Sequence, residues 1–171
     1  MNNILRKRLA AGALAAVALA VAMSALSGCA VVLPGSLPPG SSIEQARQSF
    51  GGPMGEYPLA DGGRRLEFPG GYRQTLMMDF DAAGRMVRST QVLDEANFSD
   101  IVPGMPREEV LMRIGHPIYV FAVPRQHIQV WNYRFFRGDC VWFQVSVGDE
   151  GAVTEAGMGT DPACDGPSKH R

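Results

Sequence analysis

The strongest constraint on this chain is an internal repeat. Residues 40–53 (GSSIEQARQSFGGP) align without gaps to residues 104–117 (GMPREEVLMRIGHP) at an offset of 64. Four positions are identical: Gly40/Gly104, Glu44/Glu108, Gly51/Gly115 and Pro53/Pro117. Apolar positions coincide as well, Ala46 with Val110 and Phe50 with Ile114. A unit that recurs at a fixed spacing is one supersecondary module, stacked on its copy.

Each copy opens as a short helix. Apolar residues recur at three- and four-residue steps (Ile43, Ala46, Phe50; Val110, Leu111, Ile114), as on one helical face. Ser41 or Ser42 caps the first helix, and Pro106 suits the first turn of the second, where its missing N–H is harmless. Gly51 and Gly115 stand where a left-handed C-cap belongs, and Pro two residues on stops the helix. A phosphate-cradling role for these glycines would need a preceding strand, which neither copy has.

The match resumes downstream. Leu66 and Phe68 correspond to Trp131 and Tyr133, and Leu76, Met78 and Phe80 to Phe143, Val145 and Val147. These runs alternate with period two, as half-buried strands do. Turn segments at Asp81–Gly84 and Gly148–Gly151 lead into a third strand near 85–92 and 152–158. The expected unit is a helix packed on a three-stranded antiparallel meander, an α+β layer. One such unit buries only about 60% of its unfolded surface and is marginal alone. Asp94–Ile101 adds a short helix before the second copy. Boundaries follow: repeat one 40–93, repeat two 94–160 and a tail 161–171.

What precedes the repeats reads as an export signal. Arg6, Lys7 and Arg8 are followed by an uncharged apolar stretch from Leu9 to Leu26, then Ser27, Gly28 and Cys29. An uncleaved span is the alternative, but small residues at the exit mark cleavage. Leu26-Ser27-Gly28-Cys29 resembles the lipobox of bacterial lipoproteins. That resemblance implies cleavage after residue 28, lipid attachment (palmitate among the acyl chains) at Cys29, and, with Ala30 rather than Asp next, delivery to the outer membrane facing the periplasm. Several acyl chains hold far more firmly than one, at about 0.8 kcal/mol per buried CH₂. Residues 29–39 then form a Pro- and Gly-rich lipidated tether.

Removing residues 1–28 leaves 13 basic residues against 17 acidic ones, a charge of −4. That excludes the basic footprint of a nucleic-acid binder and opposes strong binding to anionic lipid, unless arginines cluster locally.

No catalytic constellation is evident, and the chain reads as a non-enzyme without cofactor, metal or small-molecule substrate. His116, His127 and His170 have no Cys or carboxylate at ligand spacing and read as turn or surface histidines. Glu108 and Glu109 are first-turn acids favoured by the helix dipole. Arg137-Gly138-Asp139 is a turn between strands. Cys140 lies opposite about residue 159 across the last hairpin. Cys164, five residues further, can fold back to it; in an oxidising compartment the two form a disulfide. Trp131, Tyr133 and Phe135 share a strand face and belong to the core. Trp142, Phe136, Arg134 and Gln144 point the other way. They are either a partner-binding patch or a face covered by the other repeat or the tail.

The segment Pro103-Gly104-Met105-Pro106-Arg107-Glu108-Glu109-Val110, closing Ile114-Gly115-His116-Pro117, resembles the opening of the SmpA/OmlA (BamE-like) family of outer-membrane lipoproteins. The first copy departs from that pattern at Ser41 and Ala46. The same unit in tandem is similar to the β-lactamase inhibitor protein (BLIP) arrangement. These resemblances imply a non-catalytic scaffold that binds an envelope protein, with barrel-assembly components among the expected partners. An inhibitor of a periplasmic hydrolase is the alternative, and a structural lipoprotein contacting lipid or cell wall a third.

Overall fold

A computed structural model describes residues 37–71, 73–136, 140–161 and 164. The expected signal, Cys29, most of the tether, the Arg137–Asp139 turn, His170 and most of the tail lie outside these residues. Among the described residues no helix is long and apolar enough to cross a membrane.

The first copy begins with helix α1 (Ile43–Phe50). Ser42 accepts from the Gln45 N–H while the Gln45 side chain accepts from the Ser42 N–H, closing both orphan donors. Strands β1 (Gly55–Pro58), β2 (Arg64–Pro69), β3 (Thr75–Phe80) and β4 (Met86–Gln91) follow as one antiparallel sheet in chain order. A short helix α2 (Glu95–Ser99), capped by Asp94, precedes helix α3 (Arg107–Ile114). Strands β5 (Tyr119–Val123), β6 (Ile128–Arg134), β7 (Val141–Gly148) and β8 (Val153–Thr160) form a second sheet of the same topology.

The sheets are thus four-stranded, not three-stranded. The additional strands β1 and β5 lie in the stretch read as a loop, each pairing with the first expected strand. Their sequences explain the miss. GEYP is short and Pro-ended, and YVFAV is an apolar run without alternation.

The copies match in detail. Leu66 pairs with Met78 and Phe68 with Leu76; at the matching positions Trp131 pairs with Val145 and Tyr133 with Phe143. The last hairpin slips register at one place in both sheets, after Asp79 and after Ser146. The bridge Ser42–Arg85 reappears as Pro106–Ala152. The hairpin pairs Val147 with Val153 rather than with residue 152, and the slip adds one residue more, so Cys140 lies opposite Asp161, whose N–H donates to the Cys140 carbonyl, rather than opposite residue 159.

Two cores result. Ala46, Leu66, Phe68, Met78, Phe80 and Met86 form the first, with Leu37, Ile43 and Phe50 packed against it. Leu37 therefore belongs to the folded unit rather than to a free tether. Val110, Ile114, Trp131, Tyr133, Phe135, Phe143 and Val145 form the second, extended by Phe98. Phe98 stacks on Phe143 at 4.2 Å and meets Phe135 edge-on at 4.9 Å, geometries that favour aromatic pairs.

Candidate functional site

Period two puts Arg65 and Glu67 on the face of β2 opposite its core residues Leu66 and Phe68, and Thr75, Met77 and Asp79 on the same face of β3. A polar strand face ordinarily meets water, yet Glu67 is 0% exposed, Met77 2% and Asp79 3%. Arg65 and Arg88 of the same sheet close over Asp79, and the second copy docks at Glu67.

Its contact point is the exit of α3. The Glu67 carboxylate accepts from the His116 backbone N–H at 2.7 Å, pairs with His116 Nδ1 at 2.7 Å, and accepts from the Tyr57 hydroxyl at 2.8 Å. Arg65 Nη1 donates to the Met112 carbonyl at 3.1 Å, capping a terminal carbonyl of α3. Gly115 has φ 80° and ψ −168°, a region essentially reserved for glycine rather than the left-handed cap expected. A Cβ there would also sit 2.6 Å from the Glu67 carboxylate. The glycine shared by both copies is therefore required twice in the second.

Beside this contact Arg65 grips Asp79 with two N–H bonds, at 2.6 and 3.0 Å, and Arg88 adds two more, at 3.0 and 2.7 Å. Burial alone would raise the Asp79 carboxyl. The hydrogen bonds from Arg65 and Arg88 outweigh it and hold the group below the ordinary 3.8. Tyr57 is pushed well above the usual phenol range by burial and then by its bond to Glu67. Tyr133 is raised by burial and then by the charge of Glu67; its hydroxyl donates to the Gly115 carbonyl at 3.0 Å. Both phenols therefore stay protonated as donors. A cavity of about 190 Å³ opens beside the junction, lined by Met54, Pro69, Leu93, His116, Ile118 and Tyr133, with other residues.

His116 and His127 lie exposed in turns as expected, but each has a carboxylate partner distant in sequence. His116 pairs with Glu67, 49 residues away, and His127 Nδ1 with Asp149 at 3.0 Å, 22 residues away. Spacing along the chain hid both pairs. One signal was available: the repeat places Asn132 at the register of Glu67, so both copies carry a buried hydrogen-bonding residue there. Among the described residues no group of three or more His, Cys, Asp or Glu could hold a metal.

The four residues expected on the outer face of the second copy do not form one patch. Trp142 is 5% exposed, too buried to serve as a surface anchor. The Arg134 guanidinium lies 5.6 Å from its ring centre and makes two bonds to Asp161, at 2.7 and 3.0 Å. The Trp142 indole N–H is buried without a hydrogen-bond partner. Gln144 donates to Asn132 at 2.8 Å. Phe136 stands 87% exposed. Cys140 and Cys164 are joined, Cα to Cα 5.7 Å.

What the second sheet leaves open is a different part of that face. Gln144 and Ser146 stand where Met77 and Asp79 stand in the first copy, but they are only half-buried. With Phe121, Val130, Gly157 and Met158 they help line a groove of about 300 Å³.

No family model matches this chain. No curated protein matches it either. The resemblance to the SmpA/OmlA family thus rests on the residues quoted for it. Among solved structures, the chain is similar to a candidate β-lactamase inhibitor protein from Streptococcus mutans, at 12% identity over 70% of this chain and 82% of that one, TM-score 0.29. It is similar to a cysteine-rich secretory protein from Staphylococcus aureus at 15% identity over 76% of this chain, TM-score 0.29. An extracellular protein with an SCP domain from Bacillus anthracis matches at 10% identity over 80%, TM-score 0.31. The chain spans about half the length of the latter two.

Proposed function

We propose that this chain is a non-catalytic lipoprotein of the outer membrane, facing the periplasm, which binds an envelope protein through the open face of its second sheet. The observation that carries the binding role is the unequal treatment of two equivalent faces. In the first copy this face is buried, and the second copy docks on it at Glu67 and Arg65. In the second copy, the matching face presents a groove lined by Phe121, Val130, Gln144 and Ser146. A tandem array ends on the surface by which its units dock, and that surface sets polar Gln144 and Ser146 beside apolar Phe121 and Val130.

The lipobox supports the anchor. The His116–Glu67 pair serves docking rather than proton transfer in this reading, because both Glu67 oxygens are committed to His116 and Tyr57. The test is site-directed photocrosslinking in cells, with a photoreactive residue at Ser146 and with Cys29→Ser as a parallel arm. A discrete adduct from Ser146 that weakens when Cys29 is replaced supports the reading. Potent inhibition of a periplasmic β-lactamase by the purified protein would move it to the inhibitor class.

A further inference from the structure

We propose that β5 is a self-pairing edge, to which the β5 of a second copy of this chain adds antiparallel. Two four-stranded sheets have four edge strands: β1, β4, β5 and β8. Three of them carry a charge, Glu56 in β1, Arg88 in β4 and Glu155 in β8, and β1 also ends at Pro58. Charge and proline on an edge are the usual guards against strand addition. β5 has neither. From Pro117 to Pro124 the chain is uncharged (PIYVFAVP).

The same stretch is exposed. Ile118 is 58% exposed, Tyr119 56%, Val120 43% and Phe121 36%. The first copy is the internal control, because its equivalent edge, GEYP, is one residue shorter, ties Glu56 to Arg47 and Tyr57 to Glu67, and stops at proline. One fold, within one chain, closes this edge in one copy and leaves it open in the other.

The chemistry of the strand selects a second copy as its occupant. An uncharged strand meets its own image without like-charge repulsion, whereas a charged partner strand finds no counter-charge on it. A two-fold axis at Phe121 sets Tyr119 opposite Val123 of the second copy and Phe121 opposite its own counterpart. Aromatic–β-branched and aromatic–aromatic cross-strand pairs are the favoured ones. The prolines at 117 and 124 bound both strands alike, so their lengths match. A five-residue pair is small beside the roughly 1,200 Å² of a stable interface, so the dimer is concentration-dependent.

Cysteine scanning of the full chain in cells tests this. Single substitutions F121C and, on another edge, V87C (Val87 is 61% exposed) are compared on non-reducing gels. The expected result is a reducible dimer from F121C, none from V87C, and loss of the F121C dimer when V120K and A122K are added. Equal crosslinking at both edges, none at F121C, or a dimer indifferent to the lysines would overturn the proposal. Gln144→Arg, on the partner face, should leave this dimer intact, so failure of one reading is separable from failure of the other.

Discussion

Glu67 holds three donors with two oxygens, at a position where a strand residue would ordinarily face water. Its removal takes the acceptor from donors of exposed His116 and half-buried Tyr57. Hydrogen bonds to a charged group each contribute about 1.5–3 kcal/mol. Glu67→Ala is therefore expected to lower unfolding free energy by roughly 2–5 kcal/mol in a denaturant titration, while Tyr57→Phe, which deletes a single bond, costs about 1 kcal/mol. Equal stability of E67A and the parent would contradict the docking role. Asp79 makes a pH-dependent contribution. Its carboxyl lies lower in the folded chain than its ordinary 3.8, so the unfolded chain binds the proton first on acidification. Stability from this group is complete above that value and is lost as pH falls through the lowered one. Asp79→Asn should remove that acid-side loss, so stability measured at successive pH values falls less steeply in the variant than in the parent. Glu67 was hard to read because alternation places it on a polar face, and its partner His116 lies 49 residues away. The aromatic core residues were legible because alternation alone decides them: Trp131, Tyr133 and Phe143 follow the pattern, and all three are buried.

At the scale of elements, capping and spacing made α1 and α3 legible, and period-two runs made β2, β3, β6 and β7 legible. Strands β1 and β5 were not, since GEYP is short and ends in proline and YVFAV is an unbroken apolar run. The exit glycines were placed correctly, but Gly51 and Gly115 adopt extended ψ rather than a left-handed cap. The turn after α3 must run out along the first sheet to reach Glu67. The bridge from Cys140 to Cys164 ties the segment beyond β8 back to the start of β7. Closing a loop of that size is worth up to about 3.5 kcal/mol in the chain-entropy account. Reduction, or a C140S/C164S pair, should lower the midpoint of thermal unfolding and raise exchange of the Asp161 amide. Unchanged melting on reduction would show that Arg134–Asp161 alone secures this end.

For the whole molecule, the repeat was visible in sequence but its consequence was not. Two copies with matching register would be expected to be alike, yet they differ in what covers them. The second copy docks on the first sheet at Glu67, and the second sheet keeps an open groove and an unguarded edge. Composition averages this away, and only the packed structure separates a covered face from an open one. The most direct test of the account is photocrosslinking in living cells with the reactive residue at Ser146 on the open face, and at Arg47 on the exposed side of α1 as control. A discrete protein adduct is expected from Ser146 and none from Arg47. Adducts of equal yield from both positions, or from neither, would contradict it.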